Sequence, residues 1–264
     1  SFISAVLIAY PLLANPIFWS FGRIVIGFCY CGVYITAESW LNNSVNNDKR
    51  GQALSLYMIV QMIGIVSAQG VLALGNPNGY SLFIIISILV SISFAPILLS
   101  VSPTPAFERT KPMSLAQLFR SSPLGCVGMF LLGGVFSAQF GMSAVFGSQI
   151  GLSLSKISLF VAAFYIGAMI FQYPIGWMSD RMDRRLLILL ISASSAGGSV
   201  FAYFAGDYFF ALVFAAFLVG GLSNPLYSLI IAHANDFIEY EDMASAAAGL
   251  LFVNGIGAIS GPLI

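Results

Sequence analysis

Of 264 residues only 8% are charged, ten Lys and Arg against ten Asp and Glu, while 59% are apolar and the mean hydropathy is +0.94. Soluble globular chains are about 45–50% apolar and about 25% charged, so this composition excludes one and points to a polypeptide embedded in lipid. A net charge of zero argues neither for nor against a charged partner, but the few basic residues form no extended patch, which sets nucleic acid aside.

Crossing a bilayer of roughly 30 Å takes about 20 apolar residues in a helix. Nine such runs are predicted: 1–14, 17–39, 51–74, 80–101, 123–147, 157–178, 186–206, 209–232 and 245–264. None alternates with a period of two, and lipid requires each segment to satisfy its own backbone, so the runs predict helices rather than a barrel. The opening FISAVLIAYPLLA has no basic stretch before it and no small-residue cleavage site after it. It therefore reads as a shortened transmembrane helix, not a signal peptide. The end at GPLI reads the same way, and the expectation is a piece of a longer protein.

The second run carries the clearest polar stripe. Arg23, Gly27, Tyr30, Tyr34 and Glu38 share one helical face, while Ile24, Val25, Phe28 and Ile35 point elsewhere. An arginine in lipid costs about 2.5–3.5 kcal/mol on insertion scales. Arg23 is thus expected to face water, an anion or a carboxylate, or to form a packing salt bridge with a helix outside this sequence. Glu38, at the end of the same run, would pair with an arginine of a preceding loop or take part in proton coupling. After the third and fourth runs, residues 102–122 hold Pro103, Pro105 and Pro112 with mixed charge and read as a linker between 1–101 and 123–264. The fifth run offers Gln139 and Ser143 one turn apart, and the sixth Tyr165 and Gln172 two turns apart. The eighth offers Asn224, Ser228 and Asn235 on one side, with Tyr227 nearby and Pro225 able to bend it. Such residues either line a polar path or act as glue between helices. Gly255, Gly257 and Gly261 suit close backbone packing of the ninth run.

Neither the lone His233, with Asp236 and Glu239 at i+3 and i+6, nor Cys29, Cys31 and Cys126 in apolar runs make a metal site or disulfide framework. No cofactor is expected.

Lysine and arginine set the orientation. Eight of the ten fall in alternate loops: Lys49 and Arg50; Arg109, Lys111 and Arg120; Arg181, Arg184 and Arg185. The loops at 42–50, 102–122, 179–185 and 233–244 are therefore expected in the cytoplasm, the last being acidic through Asp236, Glu239, Glu241 and Asp242. Lys156 is the one basic residue of the intervening loops. Sliding the chain by 193 positions aligns Ala9-Tyr10 with Ala202-Tyr203, Gly27 with Gly220, Tyr34 with Tyr227, Asn42 with Asn235 and Gly64 with Gly257, without a gap. That register predicts two parallel repeats about an axis along the membrane normal.

The stretch GWMSDRMDRRLL (176–187) gathers charge that the rest of the chain lacks. Its Gly176, Asp180, Arg181, Arg184 and Arg185 resemble the loop pattern G-x-x-x-D-[RK]-x-G-[RK]-[RK] of the major facilitator superfamily. Asp183 stands where that pattern has its last glycine. Arg23 with Gly27 resembles the arginine motif of the family's fourth helix, and AESWLNN (37–43) and HAND (233–236) resemble a bacterial subgroup. Two departures bear on subclass. The antiporter pattern G-x-x-x-G-P reads Gly64-Ile-Val-Ser-Ala68-Gln69 in the third run and is intact only at Gly257 to Pro262, while SPTPAFER is only a faint echo of the sugar-porter motif.

The resemblance implies an all-α membrane bundle of two pseudo-symmetric six-helix halves, with this chain covering helices three to eleven of twelve. It implies a secondary transporter, moving a small-molecule substrate by alternating access, driven by a proton or cation gradient, and monomeric in a bacterial inner membrane. Arg23, Tyr30, Tyr34, Gln139, Asn224 and Tyr227 would bind substrate. Gly176, Asp180, Arg181, Arg184 and Arg185 would form a cytoplasmic gate with Glu38, Asp236 and Glu239, Asp180 meeting the start of a helix near Gly51 and the arginines pairing with the acidic loop. The plainer role of those arginines is to fix topology. No nucleotide loop G-x-x-x-x-G-K-[ST] and no H-E-x-x-H or Ser/His arrangement is present, so neither ATP use nor an enzyme is expected. A non-transporting sensor or scaffold on the same fold stays open.

Overall fold

The computed structural model describes residues 2–44, 47–76, 79–96, 113–206, 208–239 and 242–263, leaving aside the side chains at 35, 38–44, 47–55, 205 and 244. All regular structure among these residues is helical: α1 (Phe2–Leu12), α2 (Pro16–Ser44), α3 (Asn47–Leu74), α4 (Ser81–Ile92), α5 (Leu115–Ser121), α6 (Pro123–Ser137), a π turn (Ala138–Met142), α7 (Ser143–Gln149), α8 (Leu154–Ser179), α9 (Arg184–Ala205), α10 (Phe209–Asn235), α11 (Met243–Ser260) and a closing 3-10 turn (Gly261–Leu263). Among the described residues seven stretches are long and apolar enough to cross a membrane, α6 to α7 counting as one. The two shorter apolar helices, α1 and α4, fall on the first and fourth predicted runs. The protein is an all-α, multi-pass membrane protein.

Helices outlast their apolar runs where nothing stops them. α2 continues through AESWLNNS to Ser44, because leaving lipid removes the apolar demand but not the helix propensity of Ala, Glu and Leu. α5 lies inside the stretch expected as a linker. Its start is a capping box: Ser114 Oγ accepts from Gln117 N at 3.3 Å and Gln117 Oε1 accepts from Ser114 N at 3.0 Å. Leu118 is 1% exposed and faces Gly249, which holds α5 against α11. Glycine closes the turns after α7 and α9, where Gly151 and Gly206 adopt φ of 76° and 56°.

The chain divides into two compact units, Ser1–Gln61 with Val71–Phe107, and Met62–Gly70 with Glu108–Ile264. In the first, α1 packs on α2 and α4. Ser4 Oγ meets Ser87 Oγ at 2.5 Å and Ser91 Oγ at 3.0 Å, a hydroxyl contact worth making where no water competes. Asn15 Oδ1 accepts from Ile17 N at 2.8 Å, with Pro16 opening α2. Trp19 Nε1 donates to the carbonyls of Tyr10 and Leu13, each at 3.1 Å, taking up groups that the end of α1 leaves unpaired.

In the second unit three helix pairs carry the packing, α8 on α10, α6 on α11 and α9 on α10, and glycines line the first two. Lipid tails are as apolar as leucine, so membrane helices associate through close contact of small residues. A Cβ at Gly133 would strike the Asn254 carbonyl, and one at Gly257 the Phe130 carbonyl. In the same way a Cβ at Gly220 would strike the Phe164 carbonyl, and one at Gly167 the Phe217 carbonyl. The four contacts are equivalent in pairs, and the sequence shows why. Phe130-Leu-Leu-Gly133-Gly134 on α6 returns as Phe217-Leu-Val-Gly220-Gly221 on α10, and Ile166-Gly167-Ala168 on α8 returns as Ile256-Gly257-Ala258 on α11. Successive spans alternate in direction, so α6 and α10 run antiparallel and the unit contains an inverted repeat.

Candidate functional site

Gln139 lies in the π turn that interrupts the α6–α7 span and is 5% exposed. A buried amide in a membrane helix needs partners, and α10 supplies them. Gln139 Nε2 donates to Ser223 Oγ at 2.7 Å, and Asn224 Nδ2 reaches Gln139 Oε1 at 3.4 Å and the Gly220 carbonyl at 2.9 Å. Ser143 Oγ donates to the Gln139 carbonyl at 2.7 Å. One residue beyond Asn224, Pro225 removes a helical N–H and crowds the carbonyl of Gly221. Two irregular helices are thus joined at their irregular points, a pattern frequent at functional sites.

Aromatic rings flank this cluster. Phe140 stacks on Tyr165 of α8 at 5.4 Å with the planes 10° apart, Phe136 stacks on Phe140 at 5.3 Å, and Tyr227 lies 6.4 Å from Phe136. Gln172 Nε2 donates to Ser228 Oγ at 3.2 Å, a second polar tie between α8 and α10. Gln139, Asn224 and Tyr227 therefore share one region of the second unit. Every group there is uncharged, so the region offers hydrogen bonds and ring faces rather than counter-ions. In the first unit Tyr30 and Tyr34 stack at 6.0 Å on α2, and Arg23, on the same helix, is exposed. The side chain of Glu38 lies outside the described residues, as do those of Lys49, Arg50 and Gly51's neighbours and all of Arg109, Lys111 and Glu241.

The second cluster sits where α8 and α10 end and α9 begins. Asp183, at φ −60° and ψ 118°, is the N-cap of α9 and accepts from the amides of Arg185 at 2.7 Å and Leu186 at 3.3 Å. This explains why aspartate replaces the glycine of the loop pattern: the backbone angle is one any residue adopts, and the carboxylate satisfies amides that glycine would leave open. The cap also orients Arg184, which forms an ion pair with Asp236 at the end of α10 and donates through Nε to Ser179 Oγ at 3.3 Å. The other two arginines are held by aromatic faces. Arg181 lies 4.1 Å from the Trp177 ring and donates to its carbonyl at 3.1 Å, and Arg185 lies 5.2 Å from the Phe237 ring. His233 is 4% exposed and meets the edge of Phe237 at 5.1 Å. Asp180, Asp183, Arg184, Arg185, His233 and Asp236 line a cavity of about 470 Å³, and Arg181 and Trp177 lie outside it. Glu239 is exposed in the turn that follows, and Gly176 faces open space. The pair Arg184–Asp236 is itself partly open, at 28% and 43% side-chain exposure, so it contributes at most about 1 kcal/mol of stability.

Sequence reasoning missed Ser223, Phe136, Phe140 and the cap role of Asp183. The serine carries no signal of its own, whereas an aspartate just before an apolar run is a readable helix start.

The sequence pattern of the Major Facilitator Superfamily matches residues 125–264. The chain is similar to an uncharacterized MFS-type transporter of Yersinia pestis (strain Pestoides F), 26% identical over 255 residues that cover 95% of this chain and 66% of the relative. It is also similar to the uncharacterized MFS-type transporter YcaD of Escherichia fergusonii, 23% identical over 253 residues, 93% of this chain and 64% of the relative. The chain thus spans slightly less than two thirds of the length of these relatives. With the family's pattern running through more than half of its residues, this chain belongs to the Major Facilitator Superfamily.

Proposed function

We propose that the chain is part of a secondary active transporter that carries a small solute by alternating access, driven by a proton or cation gradient, in a bacterial inner membrane. The basic loops, including 179–185, face the cytoplasm on this reading. Residues 1–101 belong to one half and 123–264 to the other, joined through 102–122.

The observation that carries the reading is the union of the π turn at Gln139 with the proline-interrupted α10 through Ser223 and Asn224. Irregular backbone at membrane depth is tolerated where it is buried in protein or lines a water-filled path, and polar residues within spans mark such paths. Gln139, Asn224 and Tyr227 are the substrate contacts offered by the second unit, and Arg23, Tyr30 and Tyr34 of α2 those offered by the first. Arg184 and Asp236, with Asp180, Arg181, Arg185, Glu239, Gly176 and Glu38, make the cytoplasmic gate, closed when the carrier faces outward.

The test is uptake into proteoliposomes from a panel of labelled small solutes, with and without an ionophore that dissipates the gradient. Accumulation that collapses with the ionophore supports the reading. Solute binding with no flux in either condition overturns it in favour of a sensor or scaffold. Asp180→Lys is expected to lower uptake without lowering the amount of protein in the membrane.

A further inference from the structure

A cavity of about 510 Å³ lies within the second unit, between the α6–α7 span, α8, α9 and α10. It is separate from the polar cavity at the basic end. Its mouth and floor follow from chain direction. Phe146, Tyr203 and Leu212 stand near the end where α7 and α9 finish and α10 begins, whereas Val135, Ser199 and Val219 stand deeper. From Phe146 to Val135 the helix rises about 16 Å at 1.5 Å per residue, which is half of a hydrocarbon core of roughly 30 Å. The mouth is open, Phe146 being 43% and Tyr203 83% exposed.

The lining determines what fits. Gln139, Ser143 and Ser199 are polar, but each has a protein partner: Gln139 is bonded to Ser223, Ser143 to the Gln139 carbonyl and Ser199 to the Ser195 carbonyl at 3.2 Å. A polar solute entering here would give up water for a wall that is apolar apart from a few side chains already engaged with the protein, which is unfavourable. A hydrocarbon chain loses nothing, and in a membrane it is the neighbour. At the mouth, Lys156 stands one turn before Phe160, a lining residue of α8, and its Nζ lies 5.2 Å from the ring of Phe209 at the start of α10. That places the one basic residue of these loops where a headgroup phosphate would sit above the cavity.

We propose that this cavity holds one acyl chain of a membrane phospholipid, one leaflet deep, with its phosphate at Lys156. The chain's end then rests against Gln139, so lipid occupancy supports the wall of the polar cluster from behind. This site is independent of which solute, if any, is carried.

The test is native mass spectrometry of the intact membrane protein, taken from vesicles of phosphatidylethanolamine and phosphatidylglycerol into mild detergent. One phospholipid that survives delipidation is expected. Ala202→Phe and Ser199→Phe, which fill the cavity, should each lower its retention about tenfold, and Lys156→Gln should weaken it severalfold. Leu189→Phe, on the exposed side of α9, should leave it unchanged. Loss of retention in either filling variant that keeps its helical circular dichroism supports the site. No retained lipid in the parent protein, as when a protein segment fills the cavity instead, overturns the proposal, and so does equal retention in the filling variants or in Lys156→Gln.

Discussion

Gln139 of the π turn and Ser223 of α10 meet at 2.7 Å, both buried, at the point where one span loses its regular winding and the other approaches Pro225. Hydrogen bonds between membrane helices contribute about 0.6–2 kcal/mol. Gln139→Leu removes the bond to Ser223 and the reach of Asn224 together. The expected result is a loss of about 1 kcal/mol in thermal unfolding of the purified protein, with a larger fall in solute uptake. Uptake at the parent level in Gln139→Leu would count against the polar cluster as part of the path.

The glycine crossings should respond in pairs. Gly257→Ala places a methyl on the Phe130 carbonyl and Gly167→Ala places one on the Phe217 carbonyl. Overpacking of this kind costs about 1–3 kcal/mol, and the two variants should lose folded protein to a similar degree in detergent size exclusion. Gly197→Ala, whose new methyl meets open space on α9, should be neutral or gain up to about 1 kcal/mol from helix propensity.

At the start of α9, Asp183→Ala removes an N-cap and should cost about 1 kcal/mol, whereas Asp183→Gly should cost only a few tenths. Melting temperatures of the two variants check the order. A melting temperature at the parent level in Asp183→Ala would mean that the carboxylate does not cap the helix.

The pair Arg184–Asp236 is exposed enough that neither Arg184→Ala nor Asp236→Ala should destabilise the protein by more than about 1 kcal/mol. On the transport reading each should nonetheless lower uptake, and the exchanged pair, Arg184→Asp with Asp236→Arg, should recover part of it. A double-mutant cycle with no coupling in uptake would remove this contact from the gate.

The loop pattern was legible because its residues are near neighbours in the chain, and the spans were legible because each must satisfy its own backbone in lipid. The capping box that starts α5 was equally local and was overlooked amid the prolines and mixed charges of 102–122. The inverted repeat was written in FLLGG and FLVGG but is easily masked by the longer register of 193 positions. Pairing of the arginines with the acidic loop was legible, but which of the three would reach Asp236 was not. Arg181, Arg184 and Arg185 are alike as sequence, yet only the rotation of α9 set by the Asp183 cap turns Arg184 toward Asp236, while Trp177 and Phe237 hold the others.

Membrane residence, helical class and the position of the spans are properties of single segments, since hydropathy adds up residue by residue along one helix. Which side chains meet depends on how each helix is rotated about its axis, and one extra residue in a turn shifts that rotation by about 100°. The π turn at Ala138–Met142 applies such a shift, sending Gln139 into the bundle while Phe140 stays exposed. That outcome was decided by α10 packing against α6, and no stretch of the chain read alone contains it.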